Sequence, residues 1–136
     1  MVTGKAETTT KRLLGLTASL EAVTGLALMI EPAIVSRLLL GTGVSGVGLA
    51  LGRVAGFALV SLGLACWPSP DAPGGVSAAL RGMLAYNPLA AIYLLYLGIV
   101  AEETGVLLWP AMVIHAVLTL LLARAWFENR QGRQES

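Results

Sequence analysis

The sequence predicts an all-α fold, a bundle of four transmembrane helices in an antiparallel up-down topology, with a short amphipathic segment between helices 1 and 2. Hydrophobic residues make up 56% of the 136 positions and charged residues only 12%, and the mean hydropathy is +0.77. An average soluble domain has about 25% charged residues. A chain this apolar has too little polar surface to cover a globule in water, so its expected partner is the lipid bilayer.

Four apolar stretches come close to the roughly 20 residues that a helix needs to cross a bilayer. Within a single domain, 1–136, they cover approximately 13–30, 44–67, 78–100 and 106–127. Glu31-Pro32 ends the first stretch, and the proline- and glycine-rich run 68–75 separates the second from the third. The segment 33–43 is too short to cross and is predicted to lie along the membrane surface. The polar residues 1–12 are expected to be frayed.

Basic residues are concentrated on one side of these spans. That side carries Lys5, Lys11, Arg12, Arg81, Arg124, Arg130 and Arg133. Only Arg37 lies on the opposite side, together with the acidic pair Glu102 and Glu103. Because the cytoplasmic loops of multi-pass proteins are enriched in Lys and Arg, the N- and C-termini are predicted to be cytoplasmic.

Glycines of the second span mark a packing face. Gly48, Gly52 and Gly56 follow one another at four-residue intervals, and Gly63 comes seven residues later. Glycines at this spacing share one helix face and let a second backbone approach closely. We interpret the face as a site of tight packing within one chain, and a homodimer seam is the alternative.

Each predicted span also carries a polar or ionisable side chain within its apolar run. These residues are Glu21 in the first span, Arg53 in the second, Asn87 and Tyr93 in the third, and His115 in the fourth. A charge at the bilayer centre costs about 2.5–3.5 kcal/mol, so these residues are expected to face the bundle interior. At a rise of about 1.5 Å per residue, Glu21 and Arg53 differ in depth by roughly 5 Å, which an arginine can bridge. We therefore predict one polar layer with a Glu21–Arg53 ion pair, capped by Tyr93 and His115.

This polar layer has two interpretations. A buried ion pair can fix the register of packed helices without any chemistry. Intramembrane ionisable residues also mark ligand sites and proton paths, and a histidine titrates near neutral pH. The five residues are therefore candidates for a ligand or proton site, and no residue is assigned a catalytic role.

Other kinds of site are not indicated. The net charge of +1 gives no field that would attract nucleic acid. The single cysteine, Cys66, excludes an internal disulfide and is interpreted as a small buried hydrophobic residue. A single histidine and the absence of ligand-like spacing among His, Cys and Asp argue against a metal or haem site. The sequence thus predicts neither a cofactor nor a metal.

A family resemblance is carried by the first two spans. The pattern comprises Leu14-Gly-Leu-x4-Glu21-x3-Gly25, Pro32, Arg37-Leu-Leu-Leu-Gly41, Arg53-Val-Ala-Gly56 and Leu62-Gly-Leu64. It resembles small four-helix bacterial membrane proteins of the DoxX-like type. The resemblance implies a location in the bacterial inner membrane and, for some relatives, an accessory role in quinone-linked or thiol redox systems. A thiol role would require paired cysteines, which this chain lacks.

Three functions follow from these observations. The first is an accessory or ligand-binding membrane protein that uses the polar layer to hold structure or a small ligand. The second is a proton-coupled transporter that acts as a homodimer, although an Arg53 paired with Glu21 would compensate the carboxylate that such a mechanism needs. The third is a membrane-embedded enzyme or redox subunit acting on a lipid or quinone, and only the polar layer supports it.

Overall fold

The computed structural model describes the backbone of residues 2–68, 75–101 and 104–134, and the side chains of 7–68, 78–101, 104–128 and 130–131. The helices are α1 (Val2–Ile30), α2 (Pro32–Leu40), α3 (Val47–Ala65), α4 (Gly75–Val100) and α5 (Leu108–Gln134). All except α2 are long and apolar enough to cross a membrane. The predicted fold class is confirmed, including the short helical segment between the first two spans.

The first and last helices extend beyond the predicted spans toward the two ends of the chain. α1 begins at Val2 and α5 continues to Gln134, so the expectation of a frayed N-terminal segment was wrong. Ion pairs one helical turn apart, Lys11 with Glu7 and Arg124 with Glu128, each have an N–O distance of 2.7 Å. Pairs at this spacing stabilise solvated helix turns, which explains why these polar residues remain helical.

α3 packs against α1 through the predicted glycine face. A methyl carbon added at Gly56 would lie 2.6 Å from the carbonyl oxygen of Gly25, and one added at Gly63 would lie 2.7 Å from that of Ala18. The two backbones therefore approach as closely as glycine permits. α1 of the same chain covers this face at Gly56 and Gly63, in agreement with tight packing within one chain, and the homodimer stays a prediction.

α2 is hydrogen-bonded to the loop between α4 and α5. The amide of Gly105 donates to the carbonyl of Leu39 at 3.1 Å, and the amide of Leu107 donates to that of Leu38 at 2.8 Å. These bonds use carbonyl groups that a helix C-terminus leaves free. We call this end of the bundle the α2 end, and the opposite end, where α1 begins and α5 finishes, the terminal end.

Buried apolar side chains cluster in the half of the bundle nearer the terminal end. This core consists of Leu14, Ala18, Cys66, Ala79, Leu80, Met83, Leu118 and Leu122. It joins α1 to the α4–α5 pair and includes the C-terminal end of α3. Cys66 is 4% exposed and lies within the core as a small hydrophobic residue.

Candidate functional site

Glu21 is buried in the middle of the bundle. It follows Leu14 and Ala18 on the buried stripe of α1, at the spacing that aligns residues on one helix face. Its side chain is 1% exposed, and its Oε1 is a buried oxygen that has no hydrogen-bond partner among the described residues. Buried polar atoms in native proteins are nearly always hydrogen-bonded, so this oxygen requires an explanation.

Asn87 links α4 to α5 opposite Glu21. It is fully buried, its Nδ2 donates to the carbonyl oxygen of Met83 at 3.0 Å, and its Oδ1 lies 2.9 Å from Nδ1 of His115. The reversed amide orientation would set two carbonyl oxygens against each other at Met83. Asn87 therefore forms hydrogen bonds both within its own helix, α4, and with the neighbouring helix, α5.

This orientation fixes the proton of the imidazole. The Oδ1 of Asn87 can only accept, so Nδ1 of His115 must donate the proton. Nδ1 lies 3.9 Å from Glu21 Oε1, which is too long for a hydrogen bond. In the neutral ring, Nε2 of His115 is then an acceptor with a free lone pair.

Tyr86 completes the cluster, and the sequence analysis missed it. Its ring meets the ring of His115 edge-on, with 5.7 Å between the centroids, and its hydroxyl lies near the Glu21 carboxyl group. The available signal was its position directly before Asn87, at the same depth in α4. We refer to Glu21, Tyr86, Asn87 and His115 as the polar cluster.

Arg53 lies outside the polar cluster. Its side chain is exposed, and it makes no ion pair among the described residues. Its depth follows from the α1–α3 contacts, because the adjacent Gly52 packs on Pro32. Arg53 is thus level with the end of α1, roughly 14 Å from Glu21 at the helical rise. The predicted Glu21–Arg53 ion pair was wrong, because interlocking glycines rather than the midpoints of the spans set the register.

Tyr93 is also remote from the polar cluster. It is 61% exposed and stacks on Tyr96, with 6.3 Å between the ring centroids. It shares a helix face with Tyr86 but lies two turns, or roughly 10 Å, nearer the α2 end. The prediction that Tyr93 caps the buried carboxylate was therefore wrong, and of the five residues in the predicted polar layer only Glu21, Asn87 and His115 come together.

The two sides of the polar cluster differ in packing. Toward the terminal end, Leu14, Leu80, Met83, Leu118 and Leu122 are each at most 5% exposed. Toward the α2 end, no residue of 88–100 in α4 or 109–117 in α5 is buried, and the structure describes all of them. Along these stretches of α4 and α5 the packing is looser than on the terminal side, and 13% of the His115 side chain is exposed.

Two atoms of the polar cluster are unpaired acceptors when Glu21 is ionised. Among the described residues no hydrogen bond reaches Glu21 Oε1 or His115 Nε2, whereas Asn87 Nδ2 donates to Met83 and Asn87 Oδ1 lies against His115. In the part of the chain that the structure describes, no three His, Cys, Asp or Glu residues are grouped so as to hold a metal ion. The arrangement can bind a group that donates hydrogen bonds.

Comparisons of the chain with protein-family models, with curated proteins and with solved structures gave no match. The polar cluster is therefore interpreted from its own geometry.

Proposed function

We propose that this membrane protein binds a small ligand at the polar cluster, as a ligand-binding or accessory protein. The observation that carries the proposal is Glu21 Oε1, a buried acceptor without a donor. Leaving such an atom unsatisfied costs about 1–3 kcal/mol, and more if the group is charged. A structural residue would have a partner in the folded chain, whereas a binding residue acquires one from its ligand.

The packing around the polar cluster supports the same proposal. The looser packing of α4 and α5 toward the α2 end gives a ligand a direction of approach between these two helices. Ionisable residues within membrane spans mark substrate and ion sites by default. The orphaned oxygen and the looser packing of α4 and α5 are independent observations that agree.

The proposal is tested with the Glu21→Gln variant and the matched control Glu31→Gln, which changes an exposed carboxylate at the α2 end. Both proteins are purified from membranes in a mild detergent, and bound small molecules are identified by mass spectrometry. We expect a species that copurifies with the wild type and with Glu31→Gln and falls at least about tenfold with Glu21→Gln, the equivalent of about 1.4 kcal/mol. Equal small-molecule content in all three proteins would contradict the proposal.

A proton-coupled transporter is a second candidate function. The observation that favours it is the separation of Arg53 from Glu21, because the carboxylate is not neutralised by that arginine and can exchange between a proton and a substrate. The ionisable groups at this point are Glu21, Tyr86 and His115. Uptake into proteoliposomes driven by a pH gradient, and lost in Glu21→Gln, would distinguish transport from binding alone.

We further propose that the protein lies in a bacterial inner membrane with the terminal end in the cytoplasm, as the DoxX-like resemblance and the positive-inside rule imply. Exposed Arg12, Arg81 and Arg124 lie toward the terminal end, and Arg37 and Arg53 lie toward the α2 end. Labelling of cysteines introduced one at a time at Ile34 and Arg130, in a Cys66→Ala background, with a membrane-impermeant reagent checks this orientation, since only Ile34→Cys should react in intact cells.

A further inference from the structure

We infer that the ligand of the polar cluster is a protonated primary amine on an apolar body, with its N–H groups donating to Glu21 Oε1 and His115 Nε2. This inference rests on the proposed function and names its ligand class.

The first step is the hydrogen-bonding capacity of the cluster. With Glu21 ionised, its two free atoms accept and cannot donate, so an anion or a carbonyl compound would place acceptor against acceptor. Such a contact would leave buried polar groups without hydrogen-bond partners. A ligand of this kind would therefore bind weakly. A group with at least two N–H donors satisfies both atoms together.

The second step is charge. Among the described residues, the ion pairs other than the Glu21–His115 contact are Lys11–Glu7 and Arg124–Glu128, at the terminal end. His115 directs its Nδ1 proton to Asn87 rather than to Glu21. A carboxylate in a low-dielectric interior is stabilised strongly by a partner that supplies both a positive charge and hydrogen bonds. An ammonium group supplies both, whereas a hydroxyl supplies only the hydrogen bond.

The third step is the route to the polar cluster. Toward the α2 end, Leu89, Ile92 and Ile114 present exposed apolar side chains to the membrane. An apolar body can lie along this surface while its head group reaches between α4 and α5. The ligand is therefore expected to partition into the bilayer before it binds.

The test uses the single histidine of the chain, which contributes one pair of imidazole nitrogen signals. The full-length protein, without a histidine tag and labelled with nitrogen-15 at histidine, is titrated in a neutral detergent with decylammonium. Decyltrimethylammonium, which has the same charge and no N–H donor, is the matched probe, and decyl sulfate and decanol are the others. We expect decylammonium to shift the Nε2 signal, and decyltrimethylammonium to bind at least about tenfold more weakly, because it cannot form charge-assisted hydrogen bonds. Glu21→Gln should abolish the response and Glu31→Gln should retain it.

Equal responses to decylammonium and decyltrimethylammonium would overturn the inference. So would a Glu21-dependent shift caused by decyl sulfate or decanol alone, although the proposed ligand site would then stand. If no probe moves the Nε2 signal and nothing copurifies with the wild type, the inference and the proposed function both fail.

Discussion

Replacing Gly56 with leucine is expected to separate α1 from α3 and to destabilise the protein more than any other single change considered. Even the first carbon of the new side chain would lie 2.6 Å from the carbonyl oxygen of Gly25 and 2.9 Å from the amide nitrogen of Met29. Both atoms belong to the backbone of α1, so no side-chain rotation can relieve the contact. Overpacking of this kind costs about 1–3 kcal/mol and occasionally more, and here the whole helix pair must shift.

The effect is measured as the free energy of unfolding in mixed micelles. Gly15→Ala is the control, because its added methyl carbon would lie 3.7 Å from Pro68, an ordinary contact. We expect Gly15→Ala to remain within about 0.5 kcal/mol of the wild type. A Gly56→Leu variant as stable as the wild type would show that α1 and α3 do not pack through this face.

The second large effect is expected at the Asn87–His115 hydrogen bond. Asn87→Leu leaves the Nδ1 proton of His115 without an acceptor, and His115→Leu leaves the Oδ1 of Asn87 without a donor. Each single variant should lose roughly 1–3 kcal/mol of stability, because an unsatisfied buried polar group costs its desolvation free energy. The double variant, with both partners apolar, should lose less than the sum of the two.

A double-mutant cycle measures this coupling between the two side chains directly. Tyr93→Leu is the control, since the ring is exposed and remote from the polar cluster, and we expect no coupling between it and His115. Strictly additive losses at Asn87 and His115 would contradict the hydrogen bond as the link between α4 and α5.

The fold could be predicted because its main determinants are local. Hydropathy over each span and the breakers between spans fix the number of helices, and the glycine spacing of α3 identifies the face that packs on α1. The position of α2 depends instead on bonds between Leu38, Leu39 and a distant loop, which no local pattern encodes. The sequence predicted the segment but not its attachment.

The polar cluster was only partly predictable, because depth in a bundle depends on helix register. Glu21, Asn87 and His115 were selected by residue type within apolar spans, and they do converge. Arg53 was assigned to the same layer from the middle of its span, yet contacts such as Gly52 with Pro32 move it toward the α2 end. Tyr86 and Tyr93 share a helix face, so only the packing of α4 on α5 could decide which of them meets Glu21.

The central claim is that the carboxylate of Glu21 contributes to ligand binding and does not stabilise the fold. Its most direct test is the stability of Glu21→Gln, measured in mixed micelles after washing has removed any bound small molecule. Glutamine keeps one oxygen at this position and removes the ionisable carboxyl group, so we expect the variant to be at least as stable as the wild type. A loss of about 1 kcal/mol or more, the usual net worth of a native hydrogen bond, would show that the carboxylate holds the fold together.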